Sequence, residues 1–441
     1  MRVINSLMFF PRGGSAQVAR SLSAELAAHG WDVRIVSGSL PGHGDAERFY
    51  AGLDVVAVDF DAGDAPMHPS YEDRPGAPDV CFTRVGDEDY EAHVEAWTRV
   101  FDQADAASAD VLLLHHLTPM NEAAARAAPG VPVVGHLHGT ELAMLDRASA
   151  GPHADAWARR MRRWAGACAQ LIVPTSVARD RAVRLLGVDP AACVVIPNGF
   201  DPAVFRPEPV DRAAFWHRAL VDDPHGGRPG DEPGSIAYTE EQVARLDAAV
   251  VLLAVGRFPA VKRLSLLIDA FTAAQRRTRR PAALVLLGGP PGEWGGGHPA
   301  DAVRRAGSPD VFLAGWHDHE ALGGFFNASD VQALASVDEQ FGLVLVEGMA
   351  CGLAPIAVNR AGPATIVEQG RTGWLVEPDD GPALAMAIVD AVDGGEERAR
   401  RGIAARHEAQ KRWGWPGLAG QVAGVLESAR AAPGVPAPAR G

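Results

Sequence analysis

Two carboxylates, Glu339 and Glu347, stand eight residues apart in the run Asp338-Glu339-Gln340-Phe341-Gly342-Leu343-Val344-Leu345-Val346-Glu347-Gly348. The pattern reads as a loop, a sharp turn at Gly342 and a helix. Glu339 then lies just after an apolar strand at 331–334, and Glu347 on the second helical turn. Carboxylates in these places can accept hydrogen bonds from hydroxyls at two ends of one polyol, while the N–H groups of Phe341, Gly342 and Leu343 at the helix start face a phosphate. Apolar residues surround Glu347, and an unpaired buried charge is costly, so a partner for it is expected.

A second set of charges follows the apolar run 250–255, in Gly256-Arg257-Phe258-Pro259-Ala260-Val261-Lys262-Arg263. Arg257 as a planar fork and Lys262 as a flexible point charge can meet on one anion, and that combination suits a diphosphate. The first strand pattern ends in Phe10-Pro11-Arg12-Gly13-Gly14-Ser15 and runs straight into a helix. Gly13 and Gly14 let a ligand approach the backbone there, and the helix N-terminus offers unpaired N–H groups to a phosphate. Neither the GxGxxG fingerprint nor a phosphate loop ending in Gly-Lys-Ser/Thr occurs, which disfavours a nicotinamide-dependent oxidoreductase. His115-His116 and His136-Leu137-His138 put four imidazoles on neighbouring strand ends. A metal site there is set aside because no carboxylate is evident to orient the rings, so the expected metal count is none.

These side chains need elements to hold them. Short, β-branched apolar runs at 33–36, 55–58, 111–114, 131–134, 171–173 and 194–196 alternate with helical patterns such as 16–29 and 157–170. A second series follows at 250–255, 283–287, 311–313, 331–334, 354–358 and 373–376. Such alternation predicts βαβ units, and hence an α/β fold of two doubly wound parallel-sheet domains, with ligands at the carboxyl ends of the strands. The expected boundaries are a first domain at 1–205, a Pro/Gly-rich interdomain insertion at 206–248, and a second domain at 249–403. A closing helical segment at 404–428 and a disordered Pro/Ala tail at 429–441 complete the division.

The chain has 441 residues, 47% hydrophobic and 22% charged, with 41 Lys+Arg against 55 Asp+Glu and a net charge of -14. That is globular, long enough for two domains, and of the wrong sign for a general nucleic-acid binder. The four cysteines are widely spaced without CxxC, which fits a reduced, cytoplasmic setting. The apolar opening is short and broken by Asn5 and Ser6, so it is read as a strand rather than a leader, and no run is long enough for a transmembrane helix. The helix bearing Trp157, Met161, Trp164 and Cys168 among four arginines is read as core-facing in preference to a peripheral membrane contact. The acids Glu72, Asp73, Asp79, Asp87, Glu88, Asp89, Glu91 and Glu95 raise the expectation of a cationic small ligand such as an aminocyclitol.

The Glu339-to-Glu347 spacing around Phe-Gly-Leu resembles the E-x7-E motif of the retaining GT-B glycosyltransferases of family 4. The resemblance extends in order through Gly13-Gly14, His138-Gly139-Thr140-Glu141, Ile196-Pro197-Asn198-Gly199-Phe200-Asp201, Gly256-Arg257 with Lys262, Leu287-Gly288-Gly289, Gly362-Pro363-Ala364 and 370–376. It implies two Rossmann-like domains facing a central cleft, acceptor-binding at 1–205 and nucleotide-sugar-binding at 249–403, and transfer of a hexose-type sugar from a nucleotide diphosphate sugar to a hydroxyl of a small-molecule or lipid-linked acceptor, with His116 and Asn198 as acceptor-side contacts. The donor nucleotide expected is UDP before GDP or ADP, with no cofactor and no obligatory metal. Arg257 and Lys262 are implied to hold the diphosphate, Glu347 the ribose and Glu339 the sugar hydroxyls. Gly14 and the backbone at Phe341-Gly342-Leu343 would cradle phosphate and sugar, His138 would lie near the reacting carbon, and Gly288, Gly289 and Trp316 near the base. Lys262 is followed by Arg263 where the family commonly has glycine. A nucleotide-sugar epimerase and a catalytically silent sugar-nucleotide binder remain as alternatives on the same fold.

Overall fold

The computed structural model describes residues 1–11, 13–42, 44–72, 78–147, 151–228, 231–289 and 297–431. Two compact units separate, residues 1–72, 78–199 and 415–431 forming one and residues 200–414 the other. The first holds seven parallel strands, β1 (Arg2–Leu7), β2 (Asp32–Ser39), β3 (Asp54–Asp59), β4 (Val111–His115), β5 (Val133–His136), β6 (Gln170–Val173) and β7 (Cys193–Val195), in the order β3-β2-β1-β4-β5-β6-β7. The second holds six parallel strands, β8 (Val250–Val255), β9 (Ala282–Leu287), β10 (Val311–Gly315), β11 (Val331–Leu334), β12 (Ala354–Val358) and β13 (Trp374–Val376), in the order β10-β9-β8-β11-β12-β13. Each sheet is doubly wound, and in each the strand order reverses once, between β1 and β4 and between β8 and β11.

The apolar runs are continuous because both faces of these strands are covered. In β8 and β9, Val251, Leu253, Ala283, Val285 and Leu287 enter one core, while Val250, Leu252, Ala254, Ala282, Leu284 and Leu286 enter another. Successive side chains point to opposite faces, so a strand between two helix layers has no polar position to alternate with.

Residues 206–248 are not a linker. They fold as helix Arg212–His217, the π-helical turn Arg218–Asp222, and helices Glu240–Val243 and Arg245–Ala248. Trp216, Leu220, Val243 and Leu246 are buried in the second unit's core, and Leu313 N–H donates to Tyr238 Oη at 2.7 Å. Dense Pro and Gly masked a sparse apolar set with its own helical spacing. The change of unit comes at 199 rather than 205, because Phe200 and Phe205 bury in the second core and Phe200 N–H donates to Trp413 O at 2.8 Å. The single closing segment is two helices: Gly395–Arg412 belongs to the second unit, and Trp415–Ala431 packs on helix Gly14–Ala28 and on β4 and β5 of the first. Residues 429–431 therefore end a helix, and the rest of the expected tail lies outside the described residues.

Trp157, Met161, Trp164 and Cys168 are all buried, as a core-facing helix requires. Among the described residues no helix is long and apolar enough to cross a membrane. On helix Asp87–Gln103, His93 is 3% exposed and its Nδ1 has no partner among the described residues. Burial lowers its pKa from 6.5 to about 4, with Asp89 opposing the shift. The unfolded chain then binds the extra proton between those values, so stability is full above pH 6.5 and is lost as pH falls toward 4. His93→Leu is expected to flatten the pH dependence of the unfolding free energy in that window, by up to about 1.4 kcal/mol per pH unit. Denaturant unfolding of both forms across the window checks this, and parallel slopes would exclude His93 as the titrating group.

Candidate functional site

In the second unit the loops after β8 and β11 leave the sheet on opposite sides of the point where strand order reverses, which opens a crevice at their carboxyl ends. The β8 loop turns at Gly256, with φ of 147°, passes Arg257 and closes in the 3₁₀ turn Ala260–Lys262. Val337 N–H from the β11 loop donates to Val261 O at 3.0 Å and ties the loops together. Lys262 Nζ thereby reaches Glu339 Oε2 at 2.5 Å, with each side chain 19% exposed. Arg263 adopts the left-handed conformation at φ 53°, which accounts for glycine being common there. Here the strain is offset by ion pairing with Asp379 at 2.6 Å.

Gly342, with φ of 106°, opens helix Leu343–Ala350, and no side chain caps it. The preceding turn is held by Gly362, whose N–H donates to Glu339 O at 2.9 Å; a Cβ there would fall 2.3 Å from Phe341 O, so only glycine fits. Glu347 is 2% exposed. His319 Nε2 donates to its Oε1 at 2.7 Å, while Oε2 has no partner among the described residues. His319 is held edge-on by Phe205 at 5.1 Å. The expected partner of Glu347 is thus His319, which sequence reasoning missed; the only available signal was its position just after the β10 apolar run. Gly288 and Gly289, at φ 125° and 72°, follow β9, and Gly288 N–H donates to Gly315 O at 2.6 Å. Trp316, just beyond β10, is 45% exposed, and its carbonyl accepts from His225 Nδ1 at 2.9 Å.

In the first unit Gly13, at φ 81°, precedes helix Gly14–Ala28, which lacks a side-chain cap among the described residues; Arg12 lies outside them. His115 and His136 end β4 and β5 and are directly paired in register. His116 is left-handed at φ 66°; its ring meets Phe9 at 5.3 Å and Tyr71 at 5.5 Å, and its Nδ1 lies 3.3 Å from Glu141 Oε2. Glu141 Oε1 accepts the His138 backbone N–H at 3.0 Å. Burial pushes the Glu141 carboxyl up, but His116 and the N–H groups of Glu141 and His138 outweigh it and hold the carboxyl below its ordinary value. The expectation that no carboxylate accompanies the imidazoles therefore fails, because one turn of helix Thr140–Asp146 brings Glu141 under them. His115 Nδ1 and His138 Nε2 lie 2.8 Å apart. Burial, reinforced by neighbouring imidazoles, lowers the pKa of His115, His136 and His138, that of His136 to about 3. Asn198 is buried in the same unit, with Oδ1 lacking a partner among the described residues.

The acidic stretch is less available than its composition suggests. Asp87 pairs with Arg160 at 2.5 Å, Glu91 pairs with Arg126, and Glu72 lies 3.6 Å from Arg147. Asp73 lies outside the described residues. The charges of Glu72, Asp87 and Glu91 are already balanced by arginines.

Residues 12–204 match the model of glycosyltransferase family 4, and residues 239–408 that of the glycosyl transferases group 1. The chain is 34% identical over 262 residues to the D-inositol 3-phosphate glycosyltransferase of Kineococcus radiotolerans, covering 56% of this chain and 54% of that one. It is 30% identical over 263 residues to D-inositol 3-phosphate glycosyltransferase 2 of Catenulispora acidiphila, covering 58% and 55%. The matched stretch thus spans about half the length of these relatives. Among solved structures, the sucrose-phosphate synthase of Thermosynechococcus elongatus superposes with a TM-score of 0.67 at 20% identity, covering 98% of this chain and 99% of that one. The Anabaena protein HepE in complex with UDP-glucose gives 0.70 at 18% identity, covering 97% and 100%. These two likenesses show the fold. With both family models matched in order on its two doubly wound units, the chain belongs to family 4 of the glycosyltransferases, of GT-B architecture.

Proposed function

We propose that the protein is a retaining glycosyltransferase that moves a hexose-type sugar from a nucleotide diphosphate sugar to a hydroxyl of a small acceptor. The observation that carries the reading is the second unit's crevice. Lys262 and Glu339 meet there at 2.5 Å beside the uncapped start of a helix whose buried Glu347 keeps one oxygen open to a hydroxyl. A cation, a row of N–H groups and two carboxylates match a diphosphate flanked by a ribose and a sugar. Such a set also serves the chemistry. As the bond from the anomeric carbon to the diphosphate oxygen breaks, negative charge grows on the leaving group, where Lys262 and Arg257 stabilise it without an obligatory metal at the diphosphate. The acceptor hydroxyl forms the new bond on the same face, and its proton passes to an oxygen of the departing phosphate.

A UDP-sugar is the first donor to examine, consistent with the UDP-glucose bound by the Anabaena neighbour. An inositol phosphate is the first acceptor, following the names of the relatives. Thermal unfolding with a panel of nucleoside diphosphates and their sugar conjugates tests the donor reading. The matching series at a hundred times its dissociation constant adds about 2.7 kcal/mol. Stabilisation by one base series supports it, and no shift with any nucleotide overturns it. Once a donor is known, the anomeric configuration of the product tests retention.

A further inference from the structure

We propose that His115, His136 and His138 form a binding site for one borderline first-row divalent cation, zinc before the others. One ring nitrogen from each of the three lies within 4.8 Å of the other two. His115 and His136 are buried, and His115 Nε2 and both ring nitrogens of His136 have no partner among the described residues. Buried polar atoms are nearly always paired, so unpaired nitrogens on two neighbouring rings point to a partner shared between the rings, one nitrogen of each facing it. A cation is the partner that several imidazole lone pairs can share.

The backbone prepares such a set. His115 and His136 are directly paired on adjacent parallel strands, so their rings rise from neighbouring strand ends. Ring centroids stand 4.7 Å apart for His136 and His138 and 5.0 Å apart for His115 and His136. Nitrogens around a tetrahedral zinc are about 3.3 Å apart at zinc–nitrogen distances of about 2.0–2.1 Å, so side-chain rotation has to close the widest separation by at most about 1.5 Å. The cost is the one contact between His115 and His138, because His136 has none to lose among the described residues. Each ring coordinates in its neutral form. Glu141, fully buried, holds the backbone of His138 and supplies a negative charge beside the cluster. An all-imidazole set favours zinc, copper or nickel over calcium or magnesium, and three protein ligands leave a fourth position open.

This inference does not depend on the transferase reading, and binding measurements test it without activity. The half-buried His225–His317 stack, with centroids 4.2 Å apart, is a rival imidazole pair, so the full chain carrying His225→Ala and His317→Ala serves as host. Cobalt titration of that host is expected to give one equivalent with four-coordinate ligand-field bands that zinc abolishes. His115→Ala and His136→Ala each weaken binding by at least about tenfold, whereas exposed His29→Ala leaves it unchanged. X-ray absorption of the zinc-loaded host, with the three rings intact, is expected to show imidazole ligands from the whole set, and it decides the matter if the alanine variants fail to fold. Absence of saturable binding, affinity unchanged by both alanine variants, or an absorption fit with a single imidazole would each overturn the proposal.

Discussion

Replacing Lys262 by alanine is expected to lower turnover by about 30- to 1,000-fold, equivalent to about 2–4 kcal/mol of transition-state stabilisation. The ammonium sits where the leaving diphosphate gains charge, so more is lost in the transition state than in donor binding. Its partner sharpens the test. Glu339 Oε2 at 2.5 Å and the diphosphate compete for the same Nζ, so Glu339→Gln is expected to tighten the free nucleoside diphosphate while weakening the sugar-bearing donor. Single-turnover kinetics beside equilibrium donor binding separates the two effects. Turnover unchanged in Lys262→Ala removes that residue from the reaction, and parallel losses for both ligands in Glu339→Gln remove the sugar contact.

Glu347→Ala is expected to weaken every nucleotide of the matching series, free diphosphate included, by about 10- to 150-fold, the worth of a hydrogen bond to a buried charged group. Glu347 is 2% exposed and bonded through one oxygen to His319, which leaves the other for a ribose hydroxyl. Deoxyribose nucleotides provide the control that a general packing defect cannot imitate. Against the intact protein the ligand lacking the contacted hydroxyl binds worse, and against Glu347→Ala that penalty disappears. His319→Ala should reproduce part of the loss, since it releases the carboxylate from its fixed orientation. If only sugar-bearing ligands suffer in Glu347→Ala, the roles assigned to Glu339 and Glu347 are exchanged.

The strands were legible to within three residues because strands covered on both faces become unbroken apolar runs. The predicted 250–255, 331–334 and 354–358 are β8, β11 and β12. Residues 206–248 were not legible. Trp216, Leu220, Val243 and Leu246 are too few to stand out among prolines and glycines, and they count as core only once the second sheet is there to receive them. Helix Trp415–Ala431 misled for a related reason: an amphipathic pattern shows that a face will be buried but not which unit will bury it.

By itself the sequence determined the doubly wound class and the chemical types at the second unit's crevice, since both follow from local order. Apolar period sets the strands, and one short segment carries the glycine, the helix start and both carboxylates. Only the tertiary structure decided which groups touch. Lys262 and Glu339 are 77 residues apart and His319 and Glu347 are 28 apart, and each pair meets because loops from different strands converge. Glu141 is the plainest case. Three residues after His138 it reads as one more helix-start acid, and only folding buries it against the His116 ring and the His138 backbone, because the chain must reverse from β5 into the helix Thr140–Asp146.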